Sequence, residues 1–356
     1  GVDIDLYSDI AYSQLPRLAR ENPDIIPMID EAVRRVLRTK HRVGLFSNPY
    51  PNQTTAKRVI ANQRSTDISY KTDLEAVILL KNDGLLPLAS NQSRTIGLIG
   101  PLVNEQTQPA FGKTFGHKTK FIVEPGFDLT DGDKDIPRVL SADETKAGFN
   151  QAIAAAKKSD VVVLFLGGDE YTAKEAYFNN GTLGDRASID LVGPQAQLLK
   201  AIKTLGKPVV VVLKHRRTLA IGDIVESADA ILDAWDIGQH GEKALAELIT
   251  GVQSPSGKLP VTVPRTIGQI PFHYSQNAIN FKKGYLFEKE GPEFPFGFGL
   301  SYSSFELSKP ELSQSTKTAS DKVSVSVTLS NTGDRSAKEV VQLYVADKIG
   351  SVSRPI

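Results

Sequence analysis

Apolar residues recur along this chain with three different periods, and each period predicts a different kind of element. Over residues 29–43, Ile29, Val33, Val36 and Leu37 fall on one helical face, Arg34, Arg35, Arg38, Lys40 and Arg42 lie elsewhere, and Gly44 follows as a stop. From about residue 70 onward the apolar runs become short and continuous, at 96–99, 161–166, 209–213 and 230–234, each with helical sequence nearby. Ser141 with Glu144 predicts a capping box ahead of a helix containing Phe149, Ile153 and Ala156. Pro194 opens another helix, with Leu198, Leu199 and Ile202 on its inner face and Gly206 at its end. Unbroken apolar strands separated by helices predict an α/β fold, a mainly parallel sheet sandwiched by helices, because only a sheet covered on both faces tolerates them. The loops at its strand ends are then the default place for a ligand. Past Phe305 the period becomes two: Val323, Val325, Val327 and Leu329 alternate with polar residues, Asn331-Thr-Gly makes a turn, and 340–345 supplies a second strand. Two strands cannot close a sandwich, so the start of an all-β domain is expected there.

Composition narrows the functional classes. Forty-two basic against 41 acidic residues leave a formal charge of +1, so no bulk field favours nucleic acid or an anionic membrane as partner. The basic residues of the first helix sit near its C-terminal end, where they complement the helix dipole as a solvated face. The chain has no cysteine, which removes disulfides, thiol nucleophiles and thiolate-ligated metal. Its five histidines, His41, His117, His215, His240 and His273, are scattered without metal-ligand spacing, so neither a metal nor another cofactor is expected. The glycines at Gly100-Pro and Gly167-Gly lack the spacing of a phosphate loop or a dinucleotide fingerprint. No apolar run approaches the roughly 18 residues that span a bilayer, and the opening Gly-Val-Asp-Ile-Asp is not a leader, so an internal stretch of a longer polypeptide is expected.

Several runs, in order, resemble glycoside hydrolase family 3. Gly1-Val-Asp-Ile-Asp-Leu, then 29–40 and Gly44-Leu-Phe, are similar to the last strand and helix of that family's barrel domain. The runs 77–88 and 96–101 are similar to the opening of its α/β sandwich. Asp185-Arg, Ala228-Asp-Ala-Ile-Leu-Asp-Ala-Trp, 254–264 and Phe294-Pro-Phe-Gly-Phe-Gly-Leu-Ser-Tyr follow. The last two read equally well as turns and backbone bends between aromatic anchors, so they identify scaffold rather than chemistry. The resemblance implies four parts: the tail of the barrel over 1–50, a linker over 51–72, the α/β sandwich over 73–305, and the start of a fibronectin type III-like domain over 306–356.

It also implies a retaining exo-β-glycosidase, most readily a β-glucosidase, with a β-xylosidase or related exo-hydrolase as the alternative. Its substrate is a β-glucoside or oligosaccharide, and periplasmic or extracellular placement suits such substrates. Retaining hydrolysis needs two carboxyl groups about 5 Å apart, one a nucleophile and one an acid/base. In this family the nucleophile is an aspartate on the barrel, upstream of the run matching Gly1, so Asp3 and Asp5 are not assigned that role. The acid/base is a glutamate in the loop after the strand 161–166, here Gly167-Gly-Asp-Glu-Tyr-Thr-Ala-Lys-Glu-Ala. Glu175 takes that position, with Glu170 as the alternative. Phe115 falls where relatives place an aromatic platform for the sugar after the scissile bond, and a buried loop anchor is the other reading. Two departures stand out: a longer spacing between Glu175 and Asp185-Arg, and Lys214-His-Arg-Arg-Thr where relatives carry a small residue, glycine, a basic residue and proline. Strand-end basic residues such as Lys214 and His215 are more often paired or solvated than catalytic, and Trp235 is read as packing. A non-catalytic carbohydrate-binding or structural module is the reading from another class.

One outcome follows for the polypeptide 1–356 taken alone. Lacking the barrel aspartate, it is expected to hydrolyse aryl β-glycosides no faster than buffer in a chromogenic assay; robust turnover would overturn the assignment of its parts.

Overall fold

The change from helical to strand period along the chain is also a division in space. The computed structural model describes residues 2–6, 10–60, 62–132, 138–173, 186–275, 285–313 and 322–345, and the chain divides into two units, 1–66 and 67–356. The first unit contains α1 (Leu15–Glu21), α2 (Ile26–Arg42) and α3 (Gln53–Ile60). α2 is the helix predicted from its apolar stripe, but within this unit that stripe is barely covered, with Val33 48% and Leu37 45% exposed. Asp3 receives two 2.7 Å hydrogen bonds from Arg35 of α2, which hold its carboxyl below the usual carboxylate range. α4 (Gln63–Ala76) leads into the second unit, so the segment expected to be a linker is built largely as helix.

The second unit begins with β1 (Ile78–Asn82) and β2 (Arg94–Ile99), followed by α5 (Thr107–Phe115), β3 (Thr119–Glu124) and α6 (Ala142–Lys157). It continues with β4 (Val161–Gly167), α7 (Gln195–Lys203), β5 (Val209–Lys214), α8 (Gly222–Val225), β6 (Ala230–Asp233) and α9 (Gly241–Thr250). The six strands form one sheet in the order β1-β6-β5-β4-β2-β3, parallel except for the edge strand β1. All seven residues of β4 are buried, as its unbroken apolar run requires. Alternate residues enter opposite cores. Val162, Leu164 and Leu166 face Leu198, Leu199 and Ile202 of α7 and the alanines of α6. Val161, Val163 and Phe165 face Phe111 and Phe115 of α5 and Leu245 and Leu248 of α9. The result is the predicted α/β sandwich. The Ser141–Glu144 capping box starts α6, with the Ser141 side chain accepting from the Glu144 N–H and the Glu144 carboxylate accepting from the Ser141 N–H.

β1 and β3 were not among the four strands expected from apolar runs. Both are edge strands, and β3 carries Thr, Lys and Glu among its apolar residues because one side of it meets solvent. The runs 254–264 and 294–302 lie against the edge at β1. Leu259 and Val263 donate to the carbonyls of Phe298 and Phe294, and the Leu300 N–H donates to Leu79 O at 2.8 Å. Beyond them, β7 (Phe305–Leu307) pairs with β10 (Leu329–Asn331), and β8 (Glu311–Leu312) with β9 (Val325–Ser326), all antiparallel. The stretch 340–345, expected to be a strand, forms none among the described residues, because strand geometry needs a partner that they do not supply.

Packing of α6 on the segment after β3 rests on two glycines. A Cβ at Gly148 would lie 1.8 Å from Gly126 O. Helix propensity favours alanine over glycine by roughly 1 kcal/mol at such a position. The overlap with backbone outweighs that gain, and Gly148→Ala is expected to destabilise by about 2 kcal/mol or more in equilibrium urea unfolding.

Candidate functional site

From β2 the chain crosses to β3 on one side, then returns past β2 to β4 on the other, and continues through β5 and β6 in that direction. In open α/β sheets the crevice outside the carboxyl ends of the strands at such a reversal is the usual ligand site. Here it lies between the segment after Ile99 and the loop after Gly167. Gly100, at φ +117°, would place a Cβ 2.3 Å from Phe165 O, and Gly167, at φ +139°, would place one 1.8 Å from Lys214 O. No residue with a side chain fits at either point, so the strand ends approach closely only because both are glycine.

The loop 168–173 is tied down along its length. Gly168 N–H donates to Lys214 O at 2.9 Å. The Asp169 carboxylate accepts from Tyr171 N–H, Thr172 N–H and Thr172 Oγ1 at 3.1, 2.9 and 3.0 Å, closing a turn. Gln195, buried at the start of α7, accepts from Gly167 N–H at 2.7 Å and donates to Gly167 O and Val192 O at 2.9 and 2.8 Å. Its amide replaces a backbone partner where β4 leaves the sheet. Arg217 Nη2 donates to Ala173 O at 3.1 Å, and Arg186 donates to Thr172 O and Asp190 O at 3.4 and 2.5 Å. Burial lowers the pKa of Arg186, the charge of Arg217 lowers it further, and Asp190 partly offsets both.

Among the residues singled out from sequence, Glu175 lies outside the described residues, as does Asp185. Glu170 is in this loop, with its side chain 59% exposed and 3.8 Å from Arg216, which also pairs with Asp236 at 2.8 Å. Within the polypeptide 1–356 its carboxyl stands in water beside a guanidinium. Phe115 is fully buried. Its ring stacks on Phe111 at 5.9 Å and meets Phe121 edge-on, so it is a core anchor in this chain and offers no face to a sugar. The expectation of a platform there is corrected for that reason.

The basic run after β5 is paired rather than displayed. Lys214 forms an ion pair with Glu242 of α9, only 14% and 11% of the two side chains being exposed, and its Nζ lies 5.1 Å from the centre of the Phe165 ring. Asn104 adds a 2.8 Å hydrogen bond to Glu242, and the first turn of α9 favours that negative charge. His215 Nε2 is 2.7 Å from Asp233 Oδ1, both groups being buried, and the Trp235 ring tilts over the imidazole at 4.8 Å. Asp73, also buried, accepts from Gly238 N–H and His240 N–H and so fixes the turn after β6. Sequence reasoning missed Gln195 and Asp73, because each is one polar residue at a buried helical position, with no spacing to single it out. Among the described residues, open clefts lie elsewhere. One of about 570 Å³ is lined by Phe272, Tyr274 and Phe296, and one of about 510 Å³ lies between α5 and α9; the loop 168–173 lines neither.

Comparison with known proteins agrees with this architecture. The family whose model matches is the Glycosyl hydrolase family 3 C-terminal domain, over residues 77–302. A protein of Formosa agariphila named "Putative beta-xylosidase" is 52% identical across the whole of this chain, which covers 47% of that relative. The periplasmic beta-glucosidase of Salmonella typhimurium is 32% identical, again across the whole chain, which covers 51% of it. Among solved structures, a β-glucosidase from Erythrobacter marinus superposes with a TM-score of 0.89 at 34% identity, and one from Listeria innocua in complex with isofagomine with 0.79 at 32%. This chain is covered completely in both and spans 50% of each. The chain therefore spans about half the length of the curated relatives it matches.

The Gln195 amide is expected to carry stability out of proportion to its size. Gln195→Leu leaves the Gly167 N–H buried without its partner, and a loss of roughly 2–3 kcal/mol is expected in urea unfolding, with faster hydrogen exchange at Gly167.

Proposed function

The chain belongs to glycoside hydrolase family 3, and from that premise we propose that it supplies the acid/base half of a retaining exo-β-glycosidase. The observation that carries the reading is the place of the loop that opens at Gly167. It leaves a fully buried strand at the topological reversal of the sheet, on a base held by Gln195, Asp169, Arg186 and Arg217. The sequence of that loop continues to Glu175.

In the proposed reaction Glu175 gives its proton to the departing glycosidic oxygen while an aspartate on the barrel domain attacks the anomeric carbon. Glu175 then takes a proton from water as the glycosyl ester is hydrolysed. The barrel domain is the partner this requires. No helix among the described residues is long and apolar enough to cross a membrane. The periplasmic relative supports an exported enzyme acting on glycans outside the cytoplasm. β-Glucosides are the substrates expected from the sequence. A second reading, β-xylosides, is favoured by the relative of 52% identity, against 32% for the named β-glucosidase.

The test uses the full-length polypeptide with aryl β-glucosides and aryl β-xylosides, and the faster series assigns the sugar. Glu175→Ala is expected to lower kcat/KM for poor leaving groups by about 10²–10⁴ and to spare 2,4-dinitrophenyl glycosides, with azide restoring turnover as the β-glycosyl azide. A mutant equal to wild type moves the role to another carboxyl. Inactivity of the wild type on both series returns the non-catalytic reading.

A further inference from the structure

α5 and α9 follow different strands but pack side by side, because Phe111 and Phe115 of one and Leu245 and Leu248 of the other enter the same core. The cleft of about 510 Å³ lies between these two helices. Its volume falls within the range of small-ligand pockets, about 300–1,000 Å³. Its lining is not that of a gap left by imperfect core packing. Apart from Pro109, Ala110 and Val252, every residue along it carries a polar side chain. Exposed Gln106 and Lys113 stand on the α5 side, and Gln239, His240 and Glu242 stand where α9 begins.

Several of its charged groups are already committed. Glu242 Oε1 takes the ion pair from Lys214 and the hydrogen bond from Asn104. Glu247 accepts from the Tyr70 hydroxyl and lies 3.8 Å from Lys243, whose Nζ sits 4.0 Å from the centre of the Tyr70 ring. What is left over decides which ligand the cleft suits. Glu242 Oε2 is buried and accepts no hydrogen bond, only 11% of that side chain being exposed. Neither Lys113 nor the Gln106 amide is engaged by another side chain among the described residues. An anion would meet the leftover carboxylate oxygen, and a cation would meet Lys113 and Lys243. A neutral polyhydroxyl compound avoids both conflicts. A hydroxyl donates and accepts, so one can give its proton to Glu242 while others accept from Lys113 and Gln106. Filling a buried acceptor is favourable because leaving it unpaired is costly. Pro109, Ala110 and Val252 offer apolar contact to the C–H groups of the same ligand.

We propose that the cleft between α5 and α9 is a non-catalytic saccharide-binding site, taking a short neutral glycan through Glu242, Gln106 and Lys113. The inference does not rest on the acid/base reading. None of these side chains belongs to the loop that opens at Gly167, and the cleft holds a glycan whether or not the chain completes a catalytic centre.

The probes are S-linked cellobiose and S-linked xylobiose, whose sulfur bridge resists hydrolysis, added to the full-length protein while backbone hydrogen exchange is followed by mass spectrometry. Exchange at 106–115 and 239–252 is expected to slow, saturably, with at least one of the two disaccharides. Lys113→Ala combined with Gln106→Ala is expected to weaken the apparent affinity about tenfold, the worth of the hydrogen bonds removed. Ala110→Trp, which fills the cleft, is expected to abolish the protection. Both residues of the double variant are exposed, and Gln106 makes no capping bond to α5, so that arm stays readable if Ala110→Trp fails to fold. Protection at 168–173 reports the proposed catalytic crevice instead, and is expected to persist in every variant, so the two readings fail separately. No protection at the cleft, protection there that the variants leave unchanged, or equal protection by inorganic sulfate would overturn the proposal.

Discussion

The arrangement of the second unit depends on one constraint: β4 and β5 are buried on both faces, so polar chemistry can appear only where they end. A strand such as Val161–Gly167 has no exposed side to carry a functional group. Its backbone must also leave the sheet without orphaning its hydrogen-bonding groups. Gly167 solves the steric part by bringing its Cα against Lys214 O, and Gln195 solves the hydrogen-bonding part with its own amide. Everything on the crevice side of the sheet inherits its position from that junction.

Around it the charged groups are matched in pairs that do different physical work. Lys214 with Glu242 is a buried ion pair, and His215 with Asp233 a buried hydrogen-bonded pair; a buried ionic pair is weak evidence for stability because desolvation offsets the attraction. What such a pair does fix is relative position: β5 to α9 in one case, β5 to β6 in the other. The exposed pairs of Arg216 contribute little of either kind. The four consecutive residues Lys214, His215, Arg216 and Arg217 therefore share no partner among those described. A basic run that looks like one patch in sequence is four separate ties in space.

The fold was legible where a single physical rule governs a segment. Continuous apolar runs gave the four central strands, and the Ser141–Glu144 pair gave the start of α6, because full burial and helix capping each leave their own pattern. β1 and β3 were missed since edge strands mix apolar and polar residues, and the stretch 340–345 was read as a strand that tertiary pairing did not complete among the described residues. At the site, spacing alone could not tell Phe115 as a platform from Phe115 as a core anchor. The difference lies in Phe111 and Phe121, which occupy its faces from α5 and β3. Gln195 was invisible for the opposite reason: a buried polar side chain is explained only by the backbone atoms it serves.

On the proposed chemistry, the two carboxyl groups belong to different domains, and that places a demand on the junction after β4 that a single-domain site would not face. An acid delivered from a separate domain accumulates positional error from every flexible link between the sheet and the reacting oxygen, and an error of about 1 Å is enough to cost much of the catalysis. The defence available to the chain is to shorten the free path. The described loop is closed on itself by Asp169, joined to β5 through Gly168, and held at Thr172 and Ala173 by two guanidiniums rooted in or beside the sheet. The ties from Gly168, Arg186 and Arg217 end on or start from backbone atoms of the loop, so they do not depend on its side chains as the Asp169 turn does.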